Sequence, residues 1–406
     1  MGIIVQKFGG TSVATPESRE LVVQKILAAK QKGYSVVVVV SAIGRKGEPY
    51  STDTLIDLGK SVCEELPHRE MDLLLSCGEI ISGVIISGLL KQRGLNATCL
   101  NGAQAGIITD GAFGRAHIVK VKPDSVLNLL VKDNVVVVAG FQGATENGEI
   151  TTLGRGGSDT TAAALGTALK AEVIEIYTDV NGIMTADPRI VKNTRTMDRV
   201  TYNEICQLAY EGARVIHPRA VEIAMHGNIP LRIKSTFSDE PGTLVCSQVE
   251  PYEETLISGD RLITGIAQIT NITQFRIDIS QVKEKDYNPR LFSKLAEDGI
   301  SIDFINVSPE QTIFTVPDMI ANRVKEIVRM FDIKATVRQQ CAKVAVVGAA
   351  MTGVPGVMAR IVAALSNEGI EILQSADSYT TIWCLVDNQD MCGAVRALHE
   401  EFGLGK

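Results

Sequence analysis

Residues 36–40 are five consecutive valines. A β-branched run with no polar alternation suits a strand covered on both faces, as in parallel sheets sandwiched between helices. Ile3–Phe8, Val36–Ser41, Val135–Phe141, Val173–Thr178 and Leu231–Lys234 are all such runs, and helical patterns separate them. Thr15-Pro16 offers an N-cap and a proline at the first helical position. Val22, Ile26 and Ala29 then line one face, and Lys30, Lys32 and Gly33 close the helix. Up to about residue 240 the alternation predicts an α/β fold. Its expected form is a three-layer αβα sandwich on a mostly parallel sheet, with ligand loops at the carboxyl ends of the strands.

Beyond residue 242 the pattern breaks. Gln248–Arg261 (QVEPYEETLISGDR) is polar and reads as a linker. Leu291–Val316 then aligns without gaps to Ile361–Val386 at an offset of 70, with six identities in 26 positions, among them Gly299/Gly369, Ile300/Ile370 and Ser308/Ser378. Each copy reads as a helix, a Gly turn and two strands. A strand precedes each copy (Ile263–Ile269 or Phe275–Ile279, and Lys343–Val347), and a helix follows (Ala321–Phe331, Met391–Phe402). This is a duplicated βαββαβ, ferredoxin-like pattern. The expected division is 1–245, a linker at 246–262, and repeat units at 263–340 and 341–406.

Composition narrows the partners. Forty basic against 47 acidic residues leave a net charge of −7, which argues against nucleic acid as the main partner. The eight cysteines show no C-x-x-C spacing and read as reduced thiols in a cytoplasmic protein. The most apolar stretch, Ile80–Leu90, is 11 residues long, too short for a bilayer. The start, MGIIVQKFGG, has no basic region leading into an apolar one, so no leader is expected.

Chemistry concentrates at three strand ends. Lys7-Phe8-Gly9-Gly10-Thr11-Ser12 follows the first strand and joins adjacent glycines to a lysine, a phosphate cradle but not a Walker A loop. Thr151–Thr161 (TTLGRGGSDTT) places three glycines around Arg155 at the start of an Ala-rich helix, where free amides and a planar cation favour anions. Gly154-Arg155-Gly156-Gly157 does not meet the G-x-G-x-x-G spacing of a dinucleotide fingerprint. Tyr177–Arg189 (YTDVNGIMTADPR) carries turn signals together with acids, hydroxyls and an arginine able to hold nucleotide or metal. His217, beside Pro218, reads as a packed or capping residue, and no histidine shows metal-ligand spacing. Gly348–Gly356 looks nucleotide-like but falls inside the second repeat.

These stretches, with VVVVVSAIG (36–44), LLLSCGE (73–79) and GARVIHPRA (212–220), resemble the aspartate kinases of the amino acid kinase family. The repeats look like that family's ACT sensor units. RKGEPYS (45–51) and QSADSYTTIW (374–383) look closest to the diaminopimelate-sensitive aspartokinases of spore-forming bacteria.

The resemblance implies transfer of the γ-phosphate of ATP, with Mg²⁺, to the side-chain carboxylate of L-aspartate. Lys7, with Phe8, Gly9 and Gly10, then binds the phosphoryl group, and Ser41 lies by the phosphates. Thr52, Glu79, Arg155, Gly156, Gly157 and Ser158 hold aspartate, Arg155 on its α-carboxylate and Glu79 on its ammonium. Asp159 orients the lysine or metal. Thr178, Asp179, Met184, Arg189, Arg214 and Val215 line the nucleotide side. The family commonly has lysine at the position of Arg214, so the charge is kept and the geometry differs. No resident metal is implied. Asp303, Asn306, Val307, Gln374, Ser375 and Asp377, which follow the Gly-Ile turn of each repeat, are the expected site of an amino-acid effector, and paired ACT units imply at least a dimer. A kinase for another small carboxylate and a catalytically inactive amino-acid sensor are the competing readings.

Overall fold

Five consecutive valines are satisfied only where both faces of their strand are covered, and Val36–Val40 are all fully buried. The computed structural model describes residues 2–213, 215–247, 262–280, 287–331, 335–349, 351 and 354–406. The predicted linker Gln248–Arg261 lies outside the described residues. The described residues of Met1–Met184, Thr196–Tyr210 and Arg214–Leu256 form one compact unit, and those of Thr185–Arg195, Glu211–Ala213 and Ile257–Lys406 form another.

The first unit contains strands β1 (Ile3–Phe8), β2 (Ser35–Val40), β3 (Ala97–Leu100), β4 (Ile107–Thr109), β5 (Ile118–Val121) and β6 (Val135–Ala139). It continues with β7 (Gln142–Ala144), β8 (Ile150–Thr152), β9 (Val173–Thr178), β10 (Arg199–Thr201), β11 (Leu231–Ser235) and β12 (Thr243–Cys246). Its helices are α1 (Pro16–Gln31), α2 (Thr52–Val62), α3 (His68–Gln92), α4 (Asp124–Leu130), α5 (Gly157–Ala168), α6 (Tyr202–Tyr210) and α7 (Pro218–Gly227). Eight strands form the main sheet in the order β10-β12-β11-β9-β1-β2-β6-β3. Every pairing in it is parallel except β11 with β12.

Two helical layers cover this sheet. On one face, Val22, Val23, Ile26 and Ala29 of α1 and Ile86 and Leu90 of α3 pack on Ile4, Phe8, Val36, Val38, Val40 and Val137. On the other, α5 approaches so closely that a Cβ on Gly166 would meet Ile174 Cδ1 at 2.4 Å. Thr15 caps α1 by accepting from Ser18 N, and Pro16 sits at its first turn, as the sequence predicts. A smaller sheet, β5-β4-β7-β8, flanks the sandwich. Helix α3 is long and apolar enough to cross a membrane by length and composition, but half of its apolar window is buried inside the protein.

The second unit carries β13 (Gly265–Asp278), α8 (Tyr287–Glu297), β14 (Asp303–Val307), β15 (Gln311–Pro317), α9 (Ala321–Arg329) and β16 (Ala335–Val347). Then follow α10 (Val357–Asn367), β17 (Gln374–Asp377), β18 (Thr381–Asp387) and α11 (Met391–Glu401). The two repeats share one antiparallel sheet, β14-β15-β13-β16-β18-β17. Ile272–Asp278 of β13 pairs with β15, while Gly265–Ile269 pairs with Lys343–Val347 of β16. The first half of β13 thus supplies the fourth strand of the second repeat. The physical reason is an open edge: β16 runs from the first repeat into the second, and its C-terminal half needs a partner opposite β18.

The duplication is visible in detail. Gly299 and Gly369 both turn at φ +70°. The Ser308 and Ser378 hydroxyls accept from Gln311 N and Thr381 N, at 3.1 and 3.2 Å. Ala186 and Val191 lie in the core of this unit beside Ile263, Val344 and Leu398.

Candidate active site

Strand β1 delivers Lys7 to the carboxyl edge of the main sheet, where the chain turns sharply. Gly9 N–H donates to Tyr177 O at 3.3 Å, and Ser41 N–H to Phe8 O at 3.1 Å, which ties together the loops after β1, β2 and β9. Gly10 must lack a side chain. A Cβ there would lie 2.6 Å from Gly44 O and 2.8 Å from Ala42 O. Lys7 Nζ reaches Asp159 Oδ1 at 2.6 Å, in the first turn of α5.

Glu79 comes from α3 and is 2% exposed. Its Oε1 accepts from Ala42 N–H at 3.1 Å, while its Oε2 has no partner among the described residues. Burial pushes its carboxyl up to about 8 against the pull of the Ala42 amide. A buried carboxylate with one oxygen unpaired is a receptor for a donor, and for a cation above all. Across from it, Gly154 and Gly156 take left-handed φ values of +72° and +70° and hold Arg155 between them in an exposed position. A Cβ on Gly156 would strike the His217 ring at 2.3 Å.

These groups converge. Lys7, Ser41, Thr52, Glu79, Arg155, Gly156, Gly157, Ser158 and Asp159 line one cavity of about 1020 Å³. The N-terminus of α5 opens into it, adding free backbone amides to two cations. The arrangement can accept an anionic phosphate beside Lys7 and a zwitterion between Glu79 and Arg155.

Residues 2–235 match the amino acid kinase family, and residues 336–400 match the ACT domain. Aspartokinase 1 of Bacillus subtilis (strain 168) is 50% identical over 409 residues, with 100% of both chains covered. The chain belongs to the amino acid kinase family, among its aspartokinases. Escherichia coli aspartokinase III in complex with aspartate and ADP (R-state) superposes at a TM-score of 0.79, with 25% identity and 98% and 99% of the two chains covered. The same enzyme with lysine and aspartate (T-state) gives 0.76, at the same identity and coverage.

Other expected residues of this amino acid kinase sit apart from the cavity lining. The Phe8 ring is fully buried and stacks on Tyr177 with centroids 4.7 Å apart, so its side chain serves the core. Thr178 ends β9, and Asp179 pairs with Arg45 at 2.6 Å. Met184 Sδ accepts from the Thr196 hydroxyl, and Val215 is half-buried. Arg189 belongs to the second unit, where it pairs with Asp187 at 2.7 Å. Arg214 lies outside the described residues.

In the second unit, Asp303 pairs with the buried Lys343 at 2.6 Å, and Lys343 also meets Glu211 at 3.0 Å. Gln374 donates to Phe304 O at 2.7 Å, so the structure brings together the two segments expected to hold an effector. Asn306, Val307, Ser375 and Asp377 are exposed on β14 and β17.

Two contributors, Asp72 and Arg219, escape a reading of the sequence, and a third, His217, does what the sequence suggests. Asp72 is 1% exposed and lines the cavity. Its signal was its place on α3, seven residues before Glu79. The Arg219 guanidinium donates to Leu153 O at 3.4 Å and Ala116 O at 3.2 Å, steadying the segment that leads to Arg155. His217 caps α7 by accepting from Arg219 N–H at 3.3 Å, the role its place before Pro218 suggests, and its ring also packs over Gly156.

Proposed function

We propose that this chain transfers the γ-phosphoryl group of ATP to the side-chain carboxylate of L-aspartate, giving 4-phospho-L-aspartate and ADP. The observation that carries the reading is one cavity holding the unpaired Glu79 oxygen, the Arg155 guanidinium and the Lys7–Asp159 pair. Glu79 receives the substrate ammonium and Arg155 its α-carboxylate, with Thr52, Gly156, Gly157 and Ser158 around them. The acceptor carboxylate then points toward Lys7.

A carboxylate with a pKa of about 4 is ionised at neutral pH, so the nucleophile needs no general base. The difficulty is bringing it to a polyanion. Lys7, the Gly10 amide and the N-terminus of α5 neutralise that charge, while the Gly9 amide is committed to Tyr177 O, and Asp159 fixes Lys7 in place. Thr178, Asp179, Met184, Arg214 and Val215 are assigned to the nucleotide side, with Ser41 near the phosphates; Arg189, which pairs with Asp187 in the second unit, is left out of it.

Among the described residues no three His, Cys, Asp or Glu side chains gather into a metal site. Mg²⁺ takes one or two carboxylates plus phosphates and water, so an ion carried on the nucleotide needs little from the protein. Asp159, which lines the cavity, would face the ion, and the ion would supply charge neutralisation at the transferring group.

The product belongs to the cytoplasmic route to lysine, diaminopimelate, threonine and methionine. An end-product amino acid binds at Asp303, Asn306, Val307, Gln374, Ser375 and Asp377, in a homo-oligomer joined through ACT units. We assign catalysis to 1–245 and sensing to the repeats after the linker 246–262, with the bounds 263–340 and 341–406 amended in that Gly265–Ile269 completes the second repeat and Thr185–Arg195 belongs to the second unit. Aspartate-dependent ADP release from Mg-ATP, absent with L-glutamate, tests the reading; equal release with and without aspartate would defeat it.

A further inference from the structure

Asp72 and Glu79 share one face of α3 and both line the cavity, but they are used in opposite ways. Glu79 keeps an oxygen unpaired. Asp72 commits both of its own. Its Oδ1 accepts from the Thr152 hydroxyl at 2.7 Å and Gly114 N–H at 3.0 Å, and its Oδ2 accepts from Thr152 N–H at 2.8 Å and Gly114 N–H at 2.9 Å. Among the described residues no cation lies within ion-pair distance of it. A buried anion held by hydrogen-bond donors alone needs all of them, because any donor lost leaves charge unsatisfied.

We infer that Asp72 is a positioning residue for aspartate recognition: through Thr152 it fixes the loop carrying Arg155 at a set distance from Glu79. The inference rests on the reading that Glu79 and Arg155 hold the amino acid. Arg155 sits between two left-handed glycines, the most permissive backbone available, so its placement depends on anchors around it. Leu153 N–H donates to Phe141 O at 2.9 Å, Arg219 grips Leu153 O, and Gly157 N–H closes on Gly154 O at 3.0 Å. Of these anchors, Asp72 comes from α3, the helix that also carries Glu79. It therefore sets the span between the two ends of the zwitterion site.

The phosphoryl apparatus is independent of that hold, since Lys7 comes from β1 and Asp159 from α5. Loss of Asp72 is expected to raise KM for aspartate and leave KM for ATP alone. An asparagine is the sharp probe, because its amide group would point a donor at donors. Thr152→Val is the milder one, removing a single hydroxyl at constant shape.

Steady-state kinetics on the full chain, with aspartate and Mg-ATP varied separately and thermal unfolding in parallel, provides the test. Asp72→Asn is expected to raise KM for aspartate about tenfold or more, and Thr152→Val several-fold, with KM for ATP within about twofold. A purely structural role would lower the melting temperature and the active fraction, which reduces kcat without moving KM. KM for aspartate within about twofold of wild type in a folded variant, or an equal rise in KM for ATP, would overturn the inference. If Asp72→Asn fails to fold, Thr152→Val decides. Wild type without aspartate-dependent turnover would defeat the functional reading and this inference with it; an active wild type beside an unmoved KM overturns this inference alone.

Discussion

Lys7 Nζ and Asp159 Oδ1 lie 2.6 Å apart, joining the end of β1 to the first turn of α5, and each side chain is 12% exposed. The pair places an ammonium group where the free amides of α5 also point, so cation and helix N-terminus act on one spot. Replacing Lys7 with Ala is expected to remove about 3–4 kcal/mol of transition-state stabilisation, comparable to losing an oxyanion donor. The measurement is kcat at saturating aspartate and Mg-ATP. A variant turning over within about tenfold of wild type would take Lys7 out of the chemistry.

Glu79 makes the site sensitive to pH. Its carboxyl, pushed up to about 8 by burial, must ionise to hold an ammonium. KM for aspartate is therefore expected to fall about tenfold per pH unit as pH rises toward 8, and to level off above it. Stability moves the other way. The folded-state pKa lies above the ordinary 4.5, so the folded chain keeps a proton across that window and loses stability as pH rises through about 8. Glu79→Gln should flatten both profiles. A wild-type KM for aspartate that does not vary between pH 6 and pH 8 would contradict the assignment.

Gly156 holds φ +70° with the His217 ring directly over the place a Cβ would occupy. Gly156→Ala is expected to cost about 1–3 kcal/mol of stability from backbone strain, before the ring shifts. Thermal unfolding reads that cost. Kinetics should show a raised KM for aspartate too, since Arg155 is the preceding residue. An unchanged melting temperature would mean the loop relaxes freely.

Asp303 bears the charge expected to meet an effector ammonium, and Lys343 balances it from beneath. Asp303→Asn should shift the inhibition curve of whichever of lysine, threonine or meso-diaminopimelate inhibits the wild type by about tenfold or more. Uninhibited kcat should stay within about twofold. Wild-type sensitivity in this variant would move the effector site elsewhere.

Much of this was legible in the chain because both folding and phosphate binding leave local marks. Val36–Val40 could only be a covered strand, and each of the three motif loops follows a strand directly. The glycines around Arg155 mark a backbone that no other residue adopts cheaply. What stayed hidden is contact between distant positions. Asp72 and Thr152 are 80 residues apart, and nothing in either local pattern announces their hydrogen bonds. The sharing of β13 between the repeats depends on which edge β16 leaves open. Likewise, Ala186 reads as part of the loop after β9, yet it is buried in the core of the second unit.

The most direct test of the account is to trap the product. Enzyme, Mg-ATP and hydroxylamine are combined with L-aspartate or L-glutamate, and the hydroxamate formed from any acyl phosphate is measured for wild type and Glu79→Gln. Aspartyl hydroxamate from the wild type, little from glutamate and a strong loss in Glu79→Gln is the expected result. ATP binding without acyl phosphate from either amino acid would contradict the account and make the cavity a sensor.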